Sequence, residues 1–259
     1  MKINKFKKIG SNKYRIYFDN ETLVIYEDVI LKYNLLYKKD IDTDLLLQIN
    51  EDNYKASIYD SAIRYIGIRM RSIKEVKEYL NKKKYDNKDI ESVVNKLIEQ
   101  GLLNDKKFAI SYVNDKIYLT KSGPDKIKNE LIKLGINEKD IHNAFNNIDN
   151  GALMDKLNKI IDKEIKLNVK LPINKMKNKI ITRCINLGYK YEDIIEILNT
   201  CNLNSNSDIK SEYDKLYKRY SNKYSDEYKL KTTIKSKLYQ KGYSIEEINK
   251  IIEWKKRAL

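Results

Sequence analysis

Apolar residues recur at spacings of three and four along most of the chain, and apolar runs longer than four residues are few. This periodicity is typical of helices that bury one face. Only eight glycines and two prolines interrupt the 259 residues. An α/β fold would need more glycine for its turns, so the pattern predicts helices joined by short polar turns.

One phrase recurs at a nearly constant period. It reads leucine or cysteine, three residues, glycine, an aromatic residue or isoleucine, three residues, an acid and isoleucine. Its copies are LIKLGINEKDI (131–141), CINLGYKYEDI (184–194), LYQKGYSIEEI (238–248) and a degenerate first copy, LNKKKYDNKDI (80–90). The phrase predicts a helix that ends in a left-handed glycine and a second helix whose first turn holds an acid. Lys84 takes the glycine position of the first copy, so that turn is strained or different.

Each period has room for three helices, which predicts four repeats. Their boundaries are 54–103, 104–150, 151–204 and 205–259, after an N-terminal region of residues 1–53. Ser72 with Glu75, and Ser244 with Glu247, form capping boxes that begin helices. Gly123 and Pro124 begin another helix, and Asn137 caps the next one. In the last two repeats the second helix begins earlier relative to the glycine, which predicts about one extra turn.

The N-terminal region has a different pattern. NKYRIYF and TLVIY alternate around a short turn and predict two strands of a β-hairpin, and a helix from Thr43 to Tyr54 links the hairpin to a first repeat helix from Tyr54 to Met70. A hairpin alone is marginally stable, so it must pack on the first repeat or a partner. The predicted fold is mainly α, an elongated and curved array of four three-helix repeats preceded by this β-hairpin region.

The net charge of +15 changes the functional picture. The abundance of Lys, Asn, Ile and Tyr is typical of AT-rich coding, but glutamate codons are equally AT-rich, so coding bias does not explain the excess. Residues 1–53 are neutral, and the helical part carries the whole excess. An extended basic repeat surface suits the groove of a long polyanion, either nucleic acid or a protein filament that carries it.

Motifs for catalysis or metal binding are missing from the sequence. There is no phosphate-binding glycine loop, no HExxH and no CxxC pair. His142 is predicted at the surface or a helix cap, Cys184 in the core, and Cys201 as an inert thiol. The sequence therefore predicts a non-enzyme without cofactor or metal. The cysteine usage and the lack of a long apolar segment predict a soluble, cytoplasmic protein. We expect it to be a monomer.

Three of the seven arginines, Arg64, Arg69 and Arg71, lie within eight residues. Spacing on a helix that continues to Met70 predicts that Arg64 and Arg71 project together away from the buried face, with Arg69 at its edge and Asp60 paired with Arg64. The cluster is either a solvated helix face or a site for phosphate or carboxylate groups. A second candidate set flanks the Gly-Pro turn and comprises Lys121, Lys126, Lys128 and Lys133.

Three successive stretches resemble the RecX family of bacterial regulators of the RecA recombinase. The first, AIRYIGIRMRSIKEVKEYL, matches at Ala62, Arg64, Tyr65, Arg69, Arg71, Ser72 and Glu75. The second, KLIEQGLLNDKKFAISYVNDKI, matches at Leu103, Asp105, Phe108, Ala109, Tyr112 and Val113, although Asn104 departs from the pattern. The third, SGPDKIKNELIKLGI, matches at Gly123, Ile127, Leu131, Gly135 and Ile136.

The resemblance implies tandem three-helix repeats and a function. Proteins of this family bind in the groove of the RecA–DNA filament and inhibit its ATP hydrolysis, strand exchange and growth in recombinational DNA repair and the SOS response. Family members also bind DNA to varying degrees. A fourth repeat and an N-terminal hairpin are features of longer members. Two alternatives stay open: a standalone nucleic-acid-binding protein, favoured by charge alone, and a helical scaffold for another protein.

Overall fold

The computed structural model describes residues 1–258, and the side chains through Lys255. Its N-terminal region forms a three-stranded antiparallel sheet. The strands β1 (Lys5–Lys8), β2 (Lys13–Tyr17) and β3 (Thr22–Tyr26) are neighbours in chain order. The predicted hairpin is β2 and β3, with Ile16 opposite Leu23. The pattern did not predict β1, because three of its four residues are exposed lysines that show no apolar alternation.

A continuous helix, α2 (Thr43–Ile66), joins the sheet to the first repeat. It follows a short helix α1 (Glu27–Lys32) and a 3-10 turn (Leu35–Tyr37). The two helices predicted to meet at Tyr54 are therefore one, since neither glycine nor proline interrupts residues 43–66. The helix buries Ile49 in the core of the sheet and Ile58 in the core of the first repeat.

The rest of the described chain is helical, which confirms the mainly α class built from three-helix repeats. The helices are α3 (Ile73–Lys82), α4 (Asn87–Glu99), α5 (Asp105–Leu119), α6 (Pro124–Lys133), α7 (Glu138–Phe145), α8 (Asn150–Asn168), α9 (Ile173–Leu187), α10 (Tyr191–Thr200), α11 (Ile209–Tyr220), α12 (Glu227–Gln240) and α13 (Ile245–Ala258). The second helices of the last two repeats, α9 and α12, have 15 and 14 residues against 10 in α3 and α6, so the extra turn is confirmed.

The chain divides into two compact units. One contains Met1–Ile110 and Ile132–Ile141, and the other contains Ser111–Leu131 and the chain from His142 onward. Apolar side chains at helical spacing form separate cores within them, and Cys184 is fully buried in the core of the third repeat. Burial raises the pKa of its thiol to about 11. Cys184 is therefore the core residue that its place in the phrase predicts.

The second helix of a repeat begins against the glycine turn of the next repeat. The backbone N–H of Gly123 donates to the carbonyl of Leu187, and that of Asp125 donates to the carbonyl of Gly188 over 3.0 Å. A helix leaves its first N–H groups without intrahelical acceptors. Carbonyls at the end of α9 therefore satisfy donors at the start of α6.

The same contact, which we call the repeat joint, occurs on either side. The N–H of Asn174 donates to the carbonyl of Gly242 over 3.1 Å, and the Ser72 hydroxyl donates to the carbonyl of Leu134 over 2.8 Å. The first joint uses a side chain where the others use backbone N–H groups. Each joint links consecutive repeats through groups that a helix end leaves free.

The repeat joint explains why the phrase contains glycine. Gly135, Gly188 and Gly242 have φ of 83°, 90° and 96°, a left-handed conformation that disfavours other residues. A Cβ at Gly188 would lie 2.4 Å from the backbone nitrogen of Lys126, and one at Gly242 would lie 2.7 Å from the Cβ of Lys175. Glycine is therefore required both by its own backbone and by the helix that packs on it.

Lys84 adopts the same left-handed conformation, with φ of 64°. The first repeat has no preceding repeat whose second helix could pack on this turn. A side chain is therefore tolerated here, and the remaining cost is the backbone strain, about 1–2 kcal/mol for a residue with a Cβ.

The substitution Lys84→Gly is expected to raise the free energy of unfolding by about 1 kcal/mol, because relief of the strain exceeds the extra entropy of glycine in the unfolded chain. Urea denaturation followed by circular dichroism measures the change. Lys83→Gly is the control, since Lys83 has φ of −80° and gains nothing from glycine. A stability equal to or below that of the original protein for Lys84→Gly would contradict the strain argument.

Candidate partner-binding surface

Arg64 lies in the last turn of α2 and pairs with Asp60, as its spacing predicts. Its guanidinium is 2.6 Å from the carboxylate, and its side chain is 63% exposed. Asp60 also accepts hydrogen bonds from the Asn12 amide and the Tyr26 hydroxyl, and it lies 3.5 Å from the Lys13 ammonium. Burial works to raise the pKa of Asp60, but the Asn12 amide and the charges of Arg64 and Lys13 together lower it. Arg64 is thus one of several partners of a carboxylate that ties the sheet to α2.

Arg69 and Arg71 meet at a different carboxylate, that of Glu75. Both guanidinium groups donate to its Oε1, over 2.8 Å and 3.2 Å, while its Oε2 accepts the backbone N–H of Ser72. The Ser72 hydroxyl accepts from the N–H of Glu75. The predicted capping box is therefore confirmed, and it also serves as the anchor of two arginines.

The predicted outward projection of Arg71 is wrong. Only 12% of its side chain is exposed, and its guanidinium carbon lies 4.1 Å from the centre of the Tyr65 ring. The ring of Tyr79 also stacks on that of Tyr65, and the two ring centres are 4.0 Å apart. The prediction failed because α2 ends at Ile66, so Arg71 is not on the same helix as Arg64.

A carboxylate from the second repeat completes the start of α3. Asp105 Oδ1 accepts the backbone N–H of Ile73 over 2.9 Å. Burial raises the pKa of Asp105; the N–H of Ile73 opposes this shift, and the charge of Asp140 adds to it. Asp105, a matched residue of the family pattern, therefore holds the turn that carries Arg69 and Arg71.

Exposed apolar side chains surround the arginines, and sequence analysis did not single them out. Ile68 is 77% exposed, and Met70, predicted to lie on the buried face, is about half exposed. Met70, Arg71 and Leu102 border a hollow of about 290 Å³ whose wall also contains Ile63 and Ile66. Arginine beside exposed apolar groups is a combination that protein-binding surfaces often contain. We call Arg64, Ile68, Arg69 and Met70 the arginine surface.

The four candidate lysines have different local environments. Lys126 is exposed, while Lys128, two positions later on α6, has its ammonium 5.3 Å above the centre of the Phe145 ring. Lys121 lies on a separate groove in the second unit. Lys133 is exposed in the first unit, where its carbonyl accepts the Lys74 ammonium. Charge and position in the sequence did not distinguish these environments.

Among residues 1–258, no helix combines the length and the apolar character that spanning a membrane requires. The same residues contain no group of three or more histidine, cysteine or acidic side chains placed to hold a metal ion.

Comparisons with known proteins match one family over most of the chain. Models of the first and second three-helix domains of RecX match residues 59–97 and 104–144. The regulatory protein RecX of Lactococcus lactis is 31% identical over 223 residues, covering 83% of this chain and 82% of that protein. RecX of Streptococcus pyogenes is 30% identical over 260 residues, covering 96% and 97%.

Two solved structures are similar in fold. A crystal structure of regulatory protein RecX aligns with a TM-score of 0.65 and 22% identity, covering 76% of this chain and 98% of that one. The structure of RecX from Lactobacillus salivarius aligns with a TM-score of 0.54 and 26% identity, covering 57% and 96%. These relatives are regulatory proteins by their names, and their fold is that of the present chain.

Proposed function

Because the chain belongs to the RecX family of regulatory proteins, we propose that it is a negative regulator of the RecA recombinase. It binds the RecA–DNA filament as a cytoplasmic monomer, inhibits ATP hydrolysis, strand exchange and filament growth, and catalyses no reaction itself. The observation that carries this proposal is the family match, which covers 83% of the chain rather than a single repeat. The net charge of +15 supports a partner that carries nucleic acid.

The arginine surface is proposed as one contact with the filament. Arg64 and Arg69 are exposed, yet Asp60 and Glu75 hold their guanidinium groups in place, so little side-chain entropy is lost on binding. Ile68 and Met70 supply apolar area beside them. Arg71 supports this surface from beneath. The lysines Lys121, Lys126, Lys128 and Lys133 are proposed as further contacts.

The direct test is a titration of the protein into RecA assembled on single-stranded DNA, with ATP hydrolysis and filament length followed together. We expect both to fall as the protein is added. Unchanged ATP hydrolysis, together with salt-dependent binding to bare single-stranded DNA, would instead support the standalone nucleic-acid-binding alternative. No effect on RecA and no binding to DNA would support the scaffold alternative.

A double variant tests the arginine surface. Arg64→Ala with Arg69→Ala should raise the concentration that halves ATP hydrolysis by about tenfold, because two charge-assisted contacts are lost. Asp60 keeps Lys13 and Asn12, and Glu75 keeps Arg71, so the fold should persist. Lys218→Ala with Arg219→Ala removes the same charge from exposed positions on α11 and is the matched control. Full inhibition by a folded double variant would disprove the site and leave the function standing.

A further inference from the structure

A groove of about 550 Å³ lies between the end of α5, helix α8 and helix α9, all within the second compact unit. Its floor is aliphatic, since Ile117 and Ile160 are buried and Leu187 is half-buried. Its rim carries Lys121, which precedes α6, and Lys159 and Lys163, which lie on α8. The groove therefore combines an apolar floor with a cationic rim.

The rim lysines are free to bind a ligand. Lys121, Lys159 and Lys163 are exposed, and none of them forms an ion pair with any residue that the structure describes. Lys156, which also lines the groove, is committed differently, because its ammonium donates to the carbonyls of Ile117 and Ser122 over 2.5 Å and 3.2 Å. Burial lowers the pKa of Lys156.

The groove also contains acidic side chains, which restrict the kinds of ligand that it can bind. Arg183 Nε lies 3.8 Å from Glu164 Oε1, and Asp155 is exposed on the same helix as the two rim lysines. The lining still has more cations than acids. A negatively charged ligand fits this balance if its charges fall on one side, near Lys159 and Lys163, which are one helical turn apart.

The aliphatic floor and the cationic rim together favour a peptide ligand over a nucleic acid. Bases bind single-stranded sites through flat aromatic platforms, whereas this floor is formed by branched aliphatic side chains. The described lining contains one aromatic ring, that of Tyr118, whereas single-stranded sites stack successive bases on several. An aliphatic side chain would bury its surface on such a floor, and flanking carboxylates would reach the rim ammonium groups.

We propose that this groove binds an acidic peptide segment that carries aliphatic side chains at helical spacing. The groove lies on the second and third repeats, apart in sequence from the arginine surface of the first. The inference goes beyond the proposed regulation of RecA and does not depend on it, because its test changes Lys159 and Lys163, whereas Lys121 alone is shared with the proposed filament contacts. The peptide belongs to a partner protein, and its carboxylates pair with Lys121, Lys159 and Lys163.

The test measures fluorescence anisotropy of a labelled 15-residue peptide, with glutamate at successive i, i+4 positions and leucine on the adjacent face of the same helix, so that both can reach the groove. We expect saturable binding to the full chain. The variant Lys159→Glu with Lys163→Glu should weaken it by at least about tenfold, while Lys229→Glu with Lys235→Glu, an equal charge change at exposed positions on α12, should leave it within about twofold. Thermal unfolding by circular dichroism verifies that both variants are folded.

Two further probes distinguish the outcomes. A peptide with serine in place of leucine should bind at least about tenfold more weakly, because the aliphatic floor is then unused. Equal binding of the serine peptide, or an equal loss in both charge variants, would show unspecific attraction and overturn the proposal. The third probe is a twenty-nucleotide oligothymidine. If the variant Lys159→Glu with Lys163→Glu weakens its binding more than that of the leucine peptide, the groove is a nucleic-acid site and the proposal is overturned.

Discussion

Replacing Gly188 with alanine is expected to lower the free energy of unfolding by about 2–5 kcal/mol. Its left-handed backbone alone costs a residue with a Cβ about 1–2 kcal/mol. The added Cβ would lie 2.4 Å from the nitrogen and 2.5 Å from the Cβ of Lys126, so helix α6 must move. Overpacking of this kind costs about 1–3 kcal/mol, and the movement also endangers the hydrogen bond from Asp125. Urea denaturation followed by circular dichroism measures the sum.

The matched control is Gly101→Ala. Gly101 also has a positive φ, of 72°, but a Cβ built there would meet no atom within 4 Å. Its substitution should cost only the backbone strain, about 1–2 kcal/mol. The difference between the two variants therefore isolates the repeat joint. Equal losses would show that packing at the joint contributes nothing.

The features that sequence analysis predicted well are those fixed by close neighbours in the chain. Ser72 and Glu75 are three residues apart, and their capping box follows from local geometry. The left-handed turn is equally local, and it occurs at Lys84 as well as at the glycines. The left-handed turn repeats with the phrase, so one copy predicts the others.

The end of α2 could not be predicted, because Gly67 gives no distinctive signal. Gly67 has φ of −67° in a right-handed conformation, so a glycine inside a helix and this one at its end look alike in sequence. The error moved Met70 to the buried face and Arg71 to the outer face. The true order is the reverse, since the Tyr65 ring and the Glu75 carboxylate draw Arg71 inward.

Contacts between distant residues explain the remaining differences. The repeat joint pairs groups 62 or more residues apart, and neither Asp125 nor Gly188 reveals its partner by local pattern. Strand β1 pairs with β2 through its backbone and needs no apolar side chain at most positions. The groove lysines lie on a helix whose spacing is visible in the sequence, but the floor that makes them useful comes from other helices.

Replacing Glu75 with alanine is expected to lower the free energy of unfolding by about 2–3 kcal/mol. The capping box accounts for about 1 kcal/mol, since the N–H of Ser72 loses its acceptor. The rest arises at Arg71, because this mostly buried cation would lose its counter-ion. Its Nε already lacks a hydrogen-bond partner among the described residues, so the remaining charge would be poorly satisfied. Thermal and urea unfolding measure the loss.

The last repeat offers a control with the same cap and no arginine. Ser244 and Glu247 form an equivalent capping box, and Glu247 makes no ion pair with any described residue. Glu247→Ala should therefore cost only about 1 kcal/mol. Adding Arg71→Met to Glu75→Ala should recover part of the larger loss, because an apolar side chain needs no counter-ion beside Tyr65. Equal losses for the two glutamates, with no recovery in the double variant, would mean that Glu75 serves α3 alone and that Arg71 does not depend on it.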